Sequence, residues 1–178
     1  MALKSTVFKA ELQLSDLDRN HYHNYHLTLA RHPSETDRRM MVRLLAFVMN
    51  ANERLEFTKG LSTGEEPDLW QRSLSGDVEL WIDLGQPDEK RIRQACHHAN
   101  HVILYTYNSR SATVWWRQIE HKLSRFKNLT VINIADETVE ELAQLAKRTM
   151  RLQVTIQDAI IWLASDDQTV EVIPTAWY

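Results

Sequence analysis

From Val78 to Ile134 the chain repeats one pattern: a short β-forming run, an amphipathic helix, then another β-forming run. Strand-like segments at 78–84, 102–107 ("VILYTY") and 130–134 ("TVINI") are separated by helical periodicity over 88–99 and 111–126. Strands joined through a helix pair in one sheet by right-handed crossovers, so this alternation commits the centre of the chain to a parallel α/β arrangement. "VILYTY" carries β-formers at every position, as a strand covered on both faces requires.

The flanking segments change period. Thr6 to Leu14 sets Phe8, Ala10, Leu12 and Leu14 against Val7, Lys9, Glu11 and Gln13, the alternation of a half-buried strand. After the polar turn "SDLDRN", the run "HYHNYHLTLARH" alternates again, which predicts an antiparallel hairpin. Ser34 then offers an N-cap for a helix over 34–53, with Glu35 and Asp37 in its first turn. Met41, Leu44, Leu45, Val48 and Met49 form its apolar stripe, with Arg38, Arg39 and Arg43 lying away from most of it. Short strands are expected near 55–58 and 68–71, and a last helix over 138–149. "LQVTIQDAIIWLASDDQTVEVIPTAW" reads as two strands joined at Asp166-Asp167, with a short extension. The expected fold class is α/β with a mixed central sheet and antiparallel hairpins at both termini. At 178 residues the expectation is a single domain: an N-terminal hairpin over 6–31, a core over 34–107 and an extension over 111–178.

Composition narrows the function classes. A net charge of −3 gives no footprint of strong, nonspecific nucleic-acid binding, while leaving room for a local basic site. The single Cys96 forms no internal disulfide and lies on the apolar side of its helix, which reads as a core residue in a cytoplasmic protein. No apolar run approaches the ~18 residues of a membrane span, and "MALKSTVFKAELQL" lacks the apolar core of a signal peptide. No Gly-rich phosphate loop, dinucleotide fingerprint or serine-hydrolase elbow is present. His21 and His23 share a strand face, but no neighbouring Cys or carboxylate in sequence completes a zinc set. Trp115 falls on the core stripe of its helix and Trp116 off it.

The chemistry concentrates around "ELWIDLGQPDEKRIRQA". Val78, Leu80, Ile82 and Leu84 share one strand face, which reads as the core face; Trp81 and Asp83 share the other. Asp83 thus ends the opposite face of its strand, at the carboxyl end where α/β sheets bind ligands. Pro87 suits the first position of the next helix, whose Ile92, Ala95, Cys96 and Ala99 form the buried stripe. Lys90, Arg93, Gln94 and His97 share another helix face, and a cation there can approach Asp83, as a salt bridge or as part of a site. The acidic loop "GEEPDLW" supplies Asp68, which an antiparallel pairing can bring opposite Asp83. Two carboxylates so placed form a hard-oxygen site suited to Mg²⁺ or Mn²⁺.

"HPSETDRRMM", "GEEPDLW", "LWIDLGQPDEKRIRQA", "TYNSRSATVWW" and "TIQDAIIWL" together resemble the YaeQ family over nearly the whole chain. That resemblance implies a core related to the PD-(D/E)xK nuclease superfamily, with Pro67-Asp68 as the first element and Asp83 as the acid of the second. The superfamily pattern wants a lysine two residues after that acid, where this chain has Gly85. On this reading Lys90 or Arg93 supplies the cation from the helix, Gln86 assists, and Tyr105 and Glu35 line the substrate side. Two functions follow: a divalent-metal-dependent nuclease or phosphodiesterase using Asp68, Asp83, Gln86, Lys90 and Arg93, or a non-catalytic module that binds a nucleic-acid or protein partner through the same cleft.

Overall fold

The computed structural model describes residues 4–59 and 65–178. The first three residues of the leader reading, and the "GLSTG" part of the acidic loop, lie outside them. The chain is described as two compact units, each built on its own sheet: 1–49 with 137–174, and 50–136 with 175–178. Both are mixed α/β, with two sheets and four helices among the described residues.

The first unit carries β1 (Thr6–Asp16), β2 (His21–Arg31), nearly all of α1 (Asp37–Asn50), most of α4 (Asp136–Gln144), β8 (Thr149–Gln157), β9 (Ile160–Ala164) and β10 (Thr169–Val172). Its sheet runs β10-β9-β8-β1-β2. The N-terminal hairpin forms as the alternation requires, with Phe8, Ala10, Leu12 and Leu14 buried. A pairing that no local pattern announces is the parallel ladder of β1 with β8, which joins the two terminal segments in one sheet.

Three expectations need correction here. The turn between β8 and β9 falls at Asp158-Ala159, both at positive φ (53° and 62°), so "LQVTIQDAIIWLA" is a hairpin and not one strand. Two-residue turns of that backbone sign normally announce themselves by Asn-Gly or Asp-Gly, and Ala159 conceals the signal. Ala159→Gly is accordingly expected to stabilise this unit by roughly 1 kcal/mol in chemical denaturation, by removing a side chain from a left-handed position. Second, the cap of α1 is Thr36, whose Oγ1 accepts from Arg39 N–H at 3.1 Å, rather than Ser34. Third, α1 has no polar side near its middle. Every residue from Met40 to Val48 is buried, Arg43 included.

The second unit carries β3 (Leu55–Phe57), β4 (Leu69–Arg72), β5 (Val78–Leu84), α2 (Glu89–His98), β6 (Ala99–Thr106), α3 (Ser109–Leu123), β7 (Leu129–Asn133) and β11 (Thr175–Ala176). The order β11-β7-β6-β5-β4-β3 contains the parallel β5-β6-β7 core that the alternation predicts, extended by antiparallel β4 and β3. Trp81, Val102, Leu104 and Val131 pack with Ile92 and Ala95 of α2 and with Trp116 and Leu123 of α3 in one buried cluster. This corrects the face assignment of β5: the Trp81–Asp83 face is also core, because α2 and α3 cover it. It reverses the two tryptophans as well. Trp116 is buried against Trp177 and Tyr178, whereas Trp115 is half-buried and donates its indole N–H to Pro87 O at 2.8 Å.

Candidate functional site

The strand pairing of β4 with β5 explains how the two acids meet. Leu69 stands opposite Ile82, and Asp68 N–H donates to Ile82 O at 3.0 Å, so Asp68 and Asp83 fall one step further along the same ladder. Thr58 holds the preceding turn, its Oγ1 donating to Pro67 O and its N–H to Asp68 O. Asp68 Oδ2 accepts from Leu84 N–H at 2.9 Å. Both carboxylates are buried, Asp68 at 7% exposure and Asp83 at 3%.

Arg91 is the cation at this site. Its Nε donates to Asp83 Oδ2 at 2.8 Å and its Nη2 to Asp83 Oδ1 at 3.1 Å, a two-pronged pair in which guanidinium and carboxylate geometries match. Nη2 also donates to Glu66 O at 3.0 Å, and the guanidinium carbon lies 5.7 Å from the centre of the Trp81 ring. The helix start aims this arginine. Asp88, not Pro87, sets the boundary: its carboxylate accepts from Arg91 N–H at 2.8 Å as the N-cap, placing Arg91 in the first turn above the end of β5.

Burial pushes the Asp83 carboxyl above its ordinary value of 3.8, and the hydrogen bond and charge of Arg91 only partly offset this. The Trp81 indole N–H pulls in the same direction as Arg91, although it meets no acceptor at hydrogen-bond geometry. The Asp68 charge adds to the rise.

The other sequence-predicted residues disperse. Lys90 and Arg93 are exposed on α2 and make no ion pair or hydrogen bond among the described residues. Gln86 is exposed and donates to Ser111 Oγ at 2.8 Å. Tyr105 lies opposite Leu84 while Asp83 lies opposite Leu104, so Tyr105 belongs to the other face of the sheet, where its buried hydroxyl accepts from Asn50 Nδ2 at 2.7 Å. Glu35 belongs to the first unit and is buried between Arg39 Nη1 at 2.8 Å and Arg43 Nη2 at 2.7 Å.

Two further positions, Gly85 and Asp16, bear on the sequence expectations. Gly85 has φ +94°, a backbone conformation that side chains rarely adopt, so the missing lysine at this position reflects the chain path as well as the residue. Asp16, absent from the histidine argument, stands opposite His21, but Arg19 takes its carboxylate at 2.6 Å and His21 pairs with the Tyr25 hydroxyl at 2.6 Å.

Sequence reasoning missed Arg91 because it followed the exposed helix face. The usable signals were the Asp88-x-x-Arg91 cap spacing and the Arg91, Gln94, His98 spacing at i, i+3 and i+7. Those three residues, with Trp81 and Glu65, line a concavity of about 380 Å³ beside Asp83. Cys96, on the same helix, packs against the core cluster, and burial pushes its thiol up to about 11, which leaves it protonated at neutral pH.

A divalent ion does not fit these residues as arranged. Both Asp83 oxygens face the guanidinium, Asp68 Oδ2 faces a backbone N–H, and the described residues hold no group of three or more His, Cys, Asp or Glu able to bind a metal.

Comparison with known proteins assigns the fold. The family model described as "YaeQ protein" matches residues 1–174. The "Uncharacterized protein YaeQ" of Escherichia coli (strain K12) is 51% identical over 177 residues, covering 99% of this chain and 98% of that protein; that of Salmonella typhi is 50% identical over the same length. The crystal structure of the YaeQ protein from Xanthomonas axonopodis pv. citri superposes with a TM-score of 0.95 at 47% identity, covering 97% of this chain and 98% of that one. The Pseudomonas syringae YaeQ structure gives 0.93 at 36% identity, covering 98% and 96%. With the family model spanning nearly all of its length and relatives at half identity end to end, the chain belongs to the YaeQ family.

Proposed function

We propose that the chain is a non-catalytic, PD-(D/E)xK-like module that binds the phosphate backbone of a nucleic acid through the α2–α3 layer of its second unit. One observation carries the non-catalytic part: the Arg91 guanidinium occupies both oxygens of Asp83, the carboxylate that a catalytic metal would need. A permanent cation at that spot balances the acid and competes directly with Mg²⁺ or Mn²⁺.

Charge distribution supports a polyanionic partner over a neutral protein surface. Between 88 and 127 the sequence sets Lys90, Arg91, Arg93, Arg110, Arg117, Lys122, Arg125 and Lys127 against Asp88, Glu89 and Glu120. Arg91 is taken by Asp83, and Lys122 and Arg125 lie 3.7 and 3.5 Å from Glu89, so Lys90, Arg93, Arg110, Arg117 and Lys127 carry the local excess of cations in a chain of net charge −3. Apart from Arg91, these lysines and arginines are exposed. Phosphate contacts of this kind set affinity and salt dependence without reading sequence.

The test is fluorescence anisotropy with labelled single- and double-stranded oligonucleotides over a salt series. Lys90→Glu with Arg93→Glu is expected to weaken binding at least tenfold and to lower the salt slope by about 2, one for each lost phosphate contact. Absence of salt-dependent binding overturns the proposal. Its second reading, a metal-dependent nuclease, is favoured by the in-register pairing of two buried carboxylates. Cleavage that requires Mn²⁺ and disappears in Asp68→Asn would establish it.

A further inference from the structure

β2 is the outermost strand of the first unit's sheet, and it is long: 11 residues, His21–Arg31, paired with β1 in unbroken register. The ladder shows which of its backbone groups face outward. Lys9 N–H donates to Arg148 O at the start of the β8 pairing, so the odd-numbered residues of β1 turn their N–H and C=O toward β8 and the even-numbered ones toward β2. Ala10 opposes Leu27 and Leu12 opposes Tyr25, so β2 gives its odd-numbered residues to β1 and turns its even-numbered ones to the open edge. Ala30 agrees with this: its carbonyl accepts from Arg43 Nη2 at 3.2 Å, a partner outside the ladder. The backbone groups of Tyr22, Asn24, His26 and Thr28 meet no partner among the described residues.

A row of unpaired N–H and C=O groups is a template for another strand, and sheets normally blunt it with charge, proline, a bulge or brevity. The other edges follow that rule. β10 has four residues, with Glu171 among them and Pro174 just beyond; β3 has three and β11 two. β2 uses none of these devices: from His21 to Ala30 it contains no Lys, Arg, Asp, Glu, Gly or Pro. Tyr22, His23, Asn24, His26 and Thr28 are all exposed, so the edge is open along this stretch.

A foreign strand could add the same backbone bonds, but β2 is its own complement. Set antiparallel about a two-fold axis at Tyr25, Asn24 pairs with His26 of the second copy and Tyr22 with Thr28 of the second copy, each pair exchanging two backbone bonds. That register uses every open residue and leaves Ala30, already engaged by Arg43, outside it. Moving the axis to His26 would call on Ala30, and moving it to Asn24 would leave Thr28 unpaired. On the other face it sets His23 against Leu27 and brings Tyr25 beside its own copy, extending the ring contacts His21–His23 (6.1 Å) and His23–Tyr25 (4.4 Å) across the axis. No carboxylate, lysine or arginine lies in the paired stretch, and the flanking Arg31 and Arg19 are each held by an acid of their own chain, Asp37 and Asp16.

We propose that the protein self-associates through β2, two copies joining their first-unit sheets edge to edge about a two-fold axis at Tyr25. The inference concerns the first unit and is independent of the nucleic-acid reading of the second. The test is sedimentation velocity of the full chain from about 10 µM to about 1 mM, the range suited to a contact smaller than a standard interface. A monomer–dimer equilibrium is expected. It should weaken about tenfold or more in His26→Pro, which removes an outward N–H from each copy while leaving the β1 ladder its donors. Register is read by mixing Tyr22→Cys chains with Thr28→Cys chains, both in a Cys96→Ala background. A disulfide dimer is expected in the mixture and not from either chain alone, because only the unlike positions come within disulfide reach, at about 5.5 Å between Cα atoms. The cross-link requires no proline, so misfolding of His26→Pro leaves the test decisive. A chain that stays monomeric across the range overturns the proposal, even if its edge accepts an extended foreign peptide. Self-association unchanged by a folded His26→Pro overturns it as well, as does a disulfide that forms equally in either chain alone.

Discussion

Replacing Arg91 with Met is expected to destabilise the second unit by about 2–4 kcal/mol at pH 7, because it strands the buried Asp83 carboxylate without its cation. The figure sits toward the low end for broken buried pairs since the Arg91 side chain is 30% exposed, so solvent already shares part of its charge. The pH dependence identifies the cause. Asp83 has a folded pKa above its ordinary 3.8, raised by burial, and Arg91 is the main influence pulling it back down. Without Arg91 the folded value rises further. A carboxyl whose folded pKa exceeds its unfolded one takes up a proton on folding between those two values. As pH falls through that window, the folded state therefore gains on the unfolded state. The deficit of Arg91→Met is thus largest at neutral pH and shrinks on acidification, measured by urea denaturation at pH 7 and pH 5. A deficit that is constant with pH would point to lost packing against Trp81 instead. The same variant frees both oxygens of Asp83, and saturable Mn²⁺ binding is expected in it but not in the wild type.

Glu35→Ala is expected to cost about 3–5 kcal/mol, the largest effect among these substitutions. Glu35 balances two arginines, and Arg43 is itself only 3% exposed, with Ala30 O as a further acceptor at 3.2 Å. Removing the carboxylate leaves that guanidinium inside the unit with carbonyl partners in place of a counter-charge. Glu35→Gln keeps one acceptor oxygen and is expected to recover a minor part of the loss. The readout is the unfolding midpoint of the first unit, followed by Trp162 fluorescence in a variant lacking the other tryptophans of that signal. Were Glu35 instead a ligand contact, Glu35→Ala would change affinity for oligonucleotides and leave the midpoint in place.

These two residues show where sequence reading stops. Glu35 sits in the first turn before an amphipathic pattern, and an acid there is normally a dipole complement at the surface. Its burial follows from α1 being covered on all sides, which the presence of Arg38, Arg39 and Arg43 concealed. Arg91 lies one residue before the buried Ile92, so helical periodicity alone does not tell whether it points to solvent or back toward β5. The Asp88 cap decided that, by placing the first turn directly over the strand end. Tyr105 failed as a site residue for a simpler reason: in a parallel pair its register with Leu84 fixes the face, and register depends on a partner strand.

What the sequence determined by itself is local and periodic. The β5-α2-β6-α3-β7 alternation, the β1–β2 hairpin, and the meeting of Asp68 with Asp83 across a short antiparallel pair all follow from period, turn residues and short loops. What only the tertiary structure decided is non-local: the parallel ladder of β1 with β8, the division into two sheets, the covering of both faces of β5, and the choice of Arg91 over Lys90 and Arg93 as the partner of Asp83. A ladder between residues some 140 positions apart leaves no trace in either segment's own pattern, and neither does the identity of the one cation whose helix phase and cap carry it to a buried acid.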